Sequence, residues 1–277
     1  MDIFSQIDFH THAVHSGEDQ SQGFTIPVMC NLADRKGIKY VLYTEHWTMP
    51  GQIDLFKKLR AEIEECRKKY EVKVLLSAEI DIIGPNGETA VDLDTAGEIL
   101  DVVSVAHHCT VTAGQPPPDI LKYAGEMFVK SAMDSRVRFI LHPQIIGNII
   151  NENLLGRNFY REMLSVAKEN DTAVECTSIR MLKRWIRYLT NGKNPDWWEK
   201  KLLKDYENFI RAVVESGVKF ALGTDAHNEK MPDFLGGGPW FGETRETVAL
   251  LRKYGADESK LWLPHLEAKF KGKWDKD

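Results

Sequence analysis

Three features of the sequence predict an α/β protein organised on a parallel sheet. Seven short, apolar, β-branched runs recur at fairly even intervals. Most of them lack the in/out alternation of a half-exposed strand. Amphipathic helical patterns fall between several of them, which implies right-handed strand–helix–strand crossovers. Such a sheet is either open and doubly wound or closed into an imperfect barrel. The 277 residues accommodate a single α/β barrel, for which about 250 is typical. No internal repeat, low-complexity linker or composition break divides the chain. One domain over residues 1–277 is therefore expected, with residues 269–277 as a charged, solvated tail.

The strand candidates, in order, are residues 6–10 (QIDFH), 40–46 (YVLYTEH), 72–79 (VKVLLSAE) and 100–108 (LDVVSVAHH), followed by 138–143 (RFILHP), 172–177 (TAVECT) and 218–227 (VKFALGTDAH). Between the second and third, Ile53, Phe56, Leu59, Ile63 and Cys66 recur three or four apart, which predicts a helix over 52–70. Phe159, Met163, Val166 and Ala167 predict another over 158–170. Phe209, Ile210 and Val213 predict a third over 206–216, with Gly217 placed as its C-terminal cap. Val248 and Leu251 mark a fourth over 243–254, followed by Gly255. The glycines at 236–238 read as a flexible loop.

Composition narrows the functional classes. Of the side chains 43% are hydrophobic and 28% charged, and the formal net charge is -5. A general nucleic-acid binder would carry a basic face instead. No apolar run approaches the ~18 residues that span a bilayer, and MDIFSQIDFH has neither the basic nor the apolar region of a secretory signal. The four scattered cysteines (Cys30, Cys66, Cys109, Cys176) form no Cys-x-x-Cys pair and read as reduced thiols in the cytoplasm. An oligomer is not indicated, although seven tryptophans leave room for an apolar interface.

The informative pattern is where the histidines fall. Of the nine, all but His15 and His265 lie at or within two residues of the C-terminal end of a strand candidate. That edge of a parallel α/β sheet is where ligands bind. Asp8, Glu45, Glu79, Glu175 and Asp225 share it. Imidazole with carboxylate is the ligand set for zinc, manganese and iron. His10 and His12 are two apart on an extended segment, so both point the same way and can clasp one ion; Asp225 and His227 repeat that spacing. There is no Gly-x-Ser-x-Gly elbow, phosphate-binding P-loop, dinucleotide fingerprint or His-Glu-x-x-His helix.

Six motifs in order carry a family resemblance: DFHTH at 8–12, TEH at 44–46, AE at 78–79, SVAHH at 104–108, LHP at 141–143 and GTDAH at 223–227. The chain resembles the PHP (polymerase and histidinol phosphatase) superfamily of metal-dependent phosphoesterases. Within it, TEHWTMP at 44–50 and the helix that follows look like the monofunctional histidinol-phosphate phosphatases. The resemblance implies a distorted (β/α)7, TIM-like barrel with two or three divalent ions (Zn, Mn or Fe) at the C-terminal ends of the strands. It implies a first ion on His10, His12, Glu79 and Asp225. A second would share Glu79 and take His142 and an imidazole of the SVAHH strand. Matching the paired histidines favours His107 there, and counting seven residues on from Asp101 favours His108; His107 is preferred. A third would take His46, His227 and one ligand from the first loop, where Glu18 is preferred over His15 and Asp19.

The implied activity is hydrolysis of a small-molecule phosphate ester, most specifically L-histidinol phosphate in histidine biosynthesis, by a metal-bridging hydroxide. Glu79, Asp225 and His227 are the expected catalytic residues, with His227 or a metal-bound water as general acid. An amidohydrolase-like metal hydrolase is the alternative. Arg180 sits where the resemblance places a phosphate-holding arginine, and Trp47 and Met49 are candidates to wall the pocket. Asp8 and Glu175 are candidate supports for ligand histidines. Trp197 and Trp198 read as packing or interface residues. Neither nucleic acid nor a membrane is an expected partner.

Overall fold

The computed structural model describes residues 2–13, 23–108, 118–143, 158–190, 195–228, 230 and 240–263. Glu18, His15, Asp19, Cys109, the 236–238 glycines, His265 and the 269–277 tail lie outside these residues, as do the side chains of Trp197 and Trp198.

Seven parallel strands form one sheet in chain order: β1 (Ile7–Thr11), β2 (Tyr40–Trp47), β3 (Lys73–Asp81), β4 (Ser104–Ala106), β5 (Phe139–Ile140), β6 (Ala173–Thr177) and β7 (Phe220–Gly223). The sheet nearly closes on itself. Past the end of β7, Asp225 N donates to His10 O at 2.7 Å, and His12 N on the β1 side donates to Ala226 O at 2.8 Å. Asp8 reinforces this seam, its carboxylate accepting from Thr224 N (3.0 Å), Thr224 Oγ1 (2.6 Å) and Gly242 N (2.8 Å). The architecture is an α/β, TIM-like barrel.

The surrounding helices are α1 (Ile26–Lys36), α2 (Ile53–Lys69), α3 (Leu93–Ile99), α4 (Pro118–Met133), α5 (Asn158–Glu169), α6 (Ile179–Thr190), α7 (Pro195–Ser216) and α8 (Arg245–Lys253). Local chemistry sets their ends. The Thr25 hydroxyl caps α1 by accepting from Val28 N, and Gly37 ends the helix at φ 72°. Asp92 caps α3 by accepting from Thr95 N at 2.8 Å. Gly217 follows α7 at φ 68°, the left-handed conformation expected of it. Among the described residues no helix is long and apolar enough to cross a membrane.

Helix α2 shows how sequence pattern becomes packing. Its apolar residues Phe56, Leu59, Ile63 and Cys66 are buried, while Arg60 and Arg67 reach over the next strand ends to Asp101. Arg60 Nη1 and Arg67 Nη2 donate to that carboxylate at 2.8 and 2.6 Å, and Leu76 N donates at 2.9 Å. This use of Asp101 explains why the 100–108 run yields only the three-residue β4: its first half serves as a tether rather than a ladder. The 138–143 run shrinks to β5 for a different reason, because His142 turns to φ 27°, outside the strand region. The 206–216 pattern proves to be the second half of α7.

Candidate metal centre

Every strand but β6 delivers a histidine or carboxylate to one point at the C-terminal mouth, and β6 contributes the supporting Glu175. Alternation along each strand does the sorting. His10 and His12 leave β1 on one face. His46 leaves β2, and its register partner on β3 is Glu79. His108, His142, Asp225 and His227 follow β4, β5 and β7 directly. His10, His12, Glu79, His142, Asp225 and His227 are all buried; His46 and His108 keep 24% and 14% of their side chains exposed.

Two groups within this cluster have the geometry of a cation site: His10, His12, Glu79 and Asp225, and His46, Glu79 and His108. In the first, His10 Nε2 lies 3.2 Å from His12 Nε2, 2.7 Å from Glu79 Oε1 and 3.5 Å from Asp225 Oδ1, and His12 Nε2 lies 3.1 Å from Asp225 Oδ1. Tetrahedral ligands at 2.0–2.1 Å from one ion are about 3.3 Å apart, so the spacing fits a divalent cation. In the second, Glu79 Oε2 lies 2.7 Å from His46 Nδ1, 3.3 Å from His108 Nε2 and 3.7 Å from His12 Nε2. Among the described residues that buried oxygen has no well-aligned hydrogen-bond donor, which is compatible with a cation as its partner. Glu79 belongs to both groups, and its Oε1 is also 2.8 Å from His142 Nε2.

Outer contacts hold these ligands in place. Glu175 Oε2 lies 3.0 Å from His10 Nδ1 and accepts from His142 N at 2.6 Å, which leaves the His10 Nε2 lone pair for a cation. Asp81 Oδ1 lies 2.5 Å from His108 Nδ1. Glu45 accepts from Tyr43 Oη (2.7 Å) and from His46 N (3.0 Å). His142 and Asp225 sit at φ 27° and 49°, left-handed values that L-residues rarely adopt and that a surrounding network must enforce. Gly223 ends β7 between His10 and Glu175, where any Cβ would overlap both.

The electrostatics match. Burial is the largest influence on Glu79 and acts to raise its pKa, but His108, His46, His10 and His12 together hold it well below the usual carboxylate range. Burial likewise opposes ionisation of Asp225, and His10, His12 and His227 outweigh it. Burial, reinforced by His227, pushes His12 well below the usual imidazole value, so it is neutral and its lone pair is available. His10 and His108 go the other way: burial lowers each, yet Glu175, Glu79 and Asp225 around His10, and Glu79 and Asp81 around His108, raise them well above it. Two ionised carboxylates among imidazoles that hold displaceable protons form a receptor for a divalent cation.

The structure brings together His10, His12, His46, Glu79, His108, His142, Asp225 and His227. His227 Nε2 is 3.2 Å from Asp225 Oδ1, and its ring stacks on His12 with centroids 4.2 Å apart. The preference for His107 is corrected. His107 Nδ1 meets Ile82 O at 3.0 Å and its ring edge packs on Phe128 of α4, so it faces the helical layer while His108 faces the cluster. His46 groups with Glu79 and His108 rather than standing apart with His227, whose ring is 6.3 Å away. Trp47, one residue past His46, points to the opposite side. It is fully buried and stacks on Phe56 of α2 at 4.1 Å, a packing role rather than a pocket wall. Arg180 is half-buried in the first turn of α6. Asp8 supports the β1–β7 seam and meets His10 only through its backbone N, at 3.5 Å.

Sequence reasoning missed three contributors. Asp81 sits two residues beyond Glu79 and so shares its face, a spacing that could have revealed it. Trp240, 5.5 Å from the His227 ring, and Arg184, stacked over Trp240 at 4.5 Å, come from distant segments and left no local signal.

Fold and site together define a TIM-like barrel carrying a candidate metal-binding cluster of histidines and carboxylates at its mouth. No family model matches the chain, and no curated protein does. Solved structures match over most of its length. They include an amidohydrolase (12% identity, 96% of this chain and 74% of that one, TM-score 0.45), an A. niger ochratoxinase (12%, 92% and 67%, 0.47) and an uncharacterized protein (12%, 91% and 69%, 0.41). At this identity and TM-score the likenesses carry no argument about chemistry.

Proposed function

We propose that the protein is a metal-dependent hydrolase of the PHP type, a phosphomonoesterase whose substrate is L-histidinol phosphate. The observation that carries the reading is the shared Glu79, whose two oxygens face two groups of ligands. His10, His12 and Asp225 would complete one cation site, and His46 and His108 the other, with His142 beside them. When bound, divalent cations such as zinc, manganese or iron polarise the substrate's oxygens and lower the pKa of water towards neutrality. No protein nucleophile is then required.

The chain's own residues do the rest. Glu79 and Asp225 are ionised, and the neutral imidazoles add no charge, so the loaded mouth stays electropositive towards a phosphate dianion. Arg180 in the first turn of α6 binds the phosphoryl group. Arg184 extends that positive edge, stacked over Trp240 next to His227. His227 belongs to neither cation group and sits against His12 and Asp225, from where it donates a proton to the leaving oxygen. The buried thiols of Cys30, Cys66 and Cys176 suit a reducing, cytoplasmic setting.

The test is phosphate release from a panel of phosphomonoesters that includes L-histidinol phosphate, using protein reconstituted with manganese or zinc and Asp225→Ala as the blank. A strong preference for histidinol phosphate in kcat/KM supports the full proposal. Comparable turnover of many esters keeps the phosphatase and removes the biosynthetic assignment. No release from any ester, with metal verified in place, points to C–N or C–O hydrolysis of the amidohydrolase kind.

A further inference from the structure

The two ligand groups differ in their surroundings. The group of His10, His12, Glu79 and Asp225 is wholly buried, whereas His46 and His108 of the other are partly exposed. Each group also contains one imidazole whose far nitrogen is held by a carboxylate outside the group. For the buried group this is Glu175 on His10 Nδ1, at 3.0 Å; for the outer group it is Asp81 on His108 Nδ1, at 2.5 Å. The two carboxylates come from different strands, β6 and β3.

Asp81 lies on the same strand as the bridging Glu79 and two residues past it, so both side chains leave β3 on one face. The strand is thus a ruler: one carboxylate contacts His108 Nε2 (3.3 Å from Glu79 Oε2) and the other its Nδ1. A carboxylate can only accept, so it fixes the proton on Nδ1 and turns the Nε2 lone pair inwards.

We propose that Asp81 is a positioning residue for the outer cation alone, selecting the His108 tautomer that can bind it, while Glu175 does the same for the inner cation. The inference rests on the metal-centre reading and adds an order to it. The buried group fills first and tightly; the outer group fills second, at an occupancy set by Asp81. In Asp81→Asn the side chain loses its charge and can present either its oxygen or its NH2 to Nδ1, so the hold on the Nδ1–H tautomer is weakened.

The test is a titration of the chelator-stripped full chain with Co2+, followed by its visible absorption, with Zn2+ stoichiometry measured by elemental analysis after gel filtration. The wild type is expected to bind two ions in resolved steps. Asp81→Asn should keep the first step and weaken the second by about 10–100-fold; Glu175→Gln should weaken the first. Two unchanged steps in Asp81→Asn, or equal weakening of both, would overturn the inference. A wild type that takes up no ion would overturn the metal-centre reading itself, so the two failures are distinguishable. A second measurement needs no variant. In Zn2+-loaded wild type with 15N-labelled histidine, the His108 ring should carry its proton on Nδ1, and a proton on Nε2 would refute the role of Asp81 whether or not Asp81→Asn folds.

Discussion

Replacing Gly223 by alanine tests the packing that holds the cluster together, because the sign of the effect is diagnostic. Gly223 sits at the end of β7 with no left-handed φ, so alanine is compatible with its backbone. On backbone grounds alone, Gly→Ala at a compatible site stabilises by about 0.4–1 kcal/mol, through lost freedom in the unfolded chain. Here the added Cβ would run into His10 Cβ and Glu175 Oε1, the latter at 2.5 Å. Both neighbours are fully buried; His10 Cβ is fixed to the backbone, and Glu175 is anchored through its other oxygen to His10 Nδ1 and His142 N, so His10 or Glu175 must shift. Overpacking of this kind costs about 1–3 kcal/mol, which exceeds the gain at most points of its range. The expected outcome is a net loss of up to about 2.6 kcal/mol, and with it a fall in Tm of several degrees (about 2–4 °C per kcal/mol for a domain of this size). Because the displaced pair is the one that orients His10, the first metal-binding step should weaken with stability. Urea denaturation read by circular dichroism, with zinc content measured on the same samples, checks both. A variant as stable as the wild type, or more stable, with its zinc intact would refute the packing argument.

Three further expectations follow from other parts of the molecule. Asp101 has its pKa held below the usual 3.8: burial opposes this, and Arg67 and Arg60 outweigh it. A depressed carboxylate stabilises the fold above its unfolded pKa, and that contribution is lost as pH falls through the lower folded value. Asp101→Asn should therefore be less stable at neutral pH by about 3 kcal/mol, and the gap should narrow below pH 4 in denaturation curves; a gap constant with pH would contradict the pairing. Metal uptake should release protons at neutral pH, since Glu175, Glu79 and Asp225 outweigh burial and keep His10 protonated in the ion-free site. Calorimetry in buffers of different ionisation enthalpy would detect this, and a heat independent of buffer would rule it out. Trp47→Ala should cost about 3–5 kcal/mol in stability through the lost stack on Phe56, whereas Trp47→Phe should leave KM for a phosphomonoester unchanged. A raised KM in a well-folded Trp47→Phe variant would return this side chain to the pocket.

Much of the barrel can be read from local pattern because parallel strands buried on both faces are written as short apolar runs, and α2 as residues three or four apart. Strand ends could be located for the same reason, so a ring of histidines and carboxylates at those ends already pointed to a candidate metal site, expected on His10, His12, His46, Glu79, His107 or His108, His142, Asp225 and His227, with Glu18 from the first loop. The alternation of side chains even decides, in principle, that Trp47 and His46 face opposite ways. The sequence does not say which face is inward until α2 is packed and Phe56 is there to receive the indole.

Tertiary structure alone decided the remaining questions, each of them a matter of distance between segments far apart in the chain. Two adjacent histidines, His107 and His108, are chemically identical in the sequence. Only the curvature of the barrel puts one against Phe128 and the other against Glu79. His46 could have neighboured His227 or Glu79, and the β2–β3 register sets it beside Glu79. Asp8 looked like support for a ligand and is instead a stitch between β1 and the end of β7, because barrel closure brings Thr224 and Gly242 to it. The sequence by itself determined which groups are available to bind a cation and at which edge of the sheet. How those groups cluster into two candidate cation-binding sets, and which carboxylates stand behind them, depends on ångström-scale placement that only the nearly closed barrel provides.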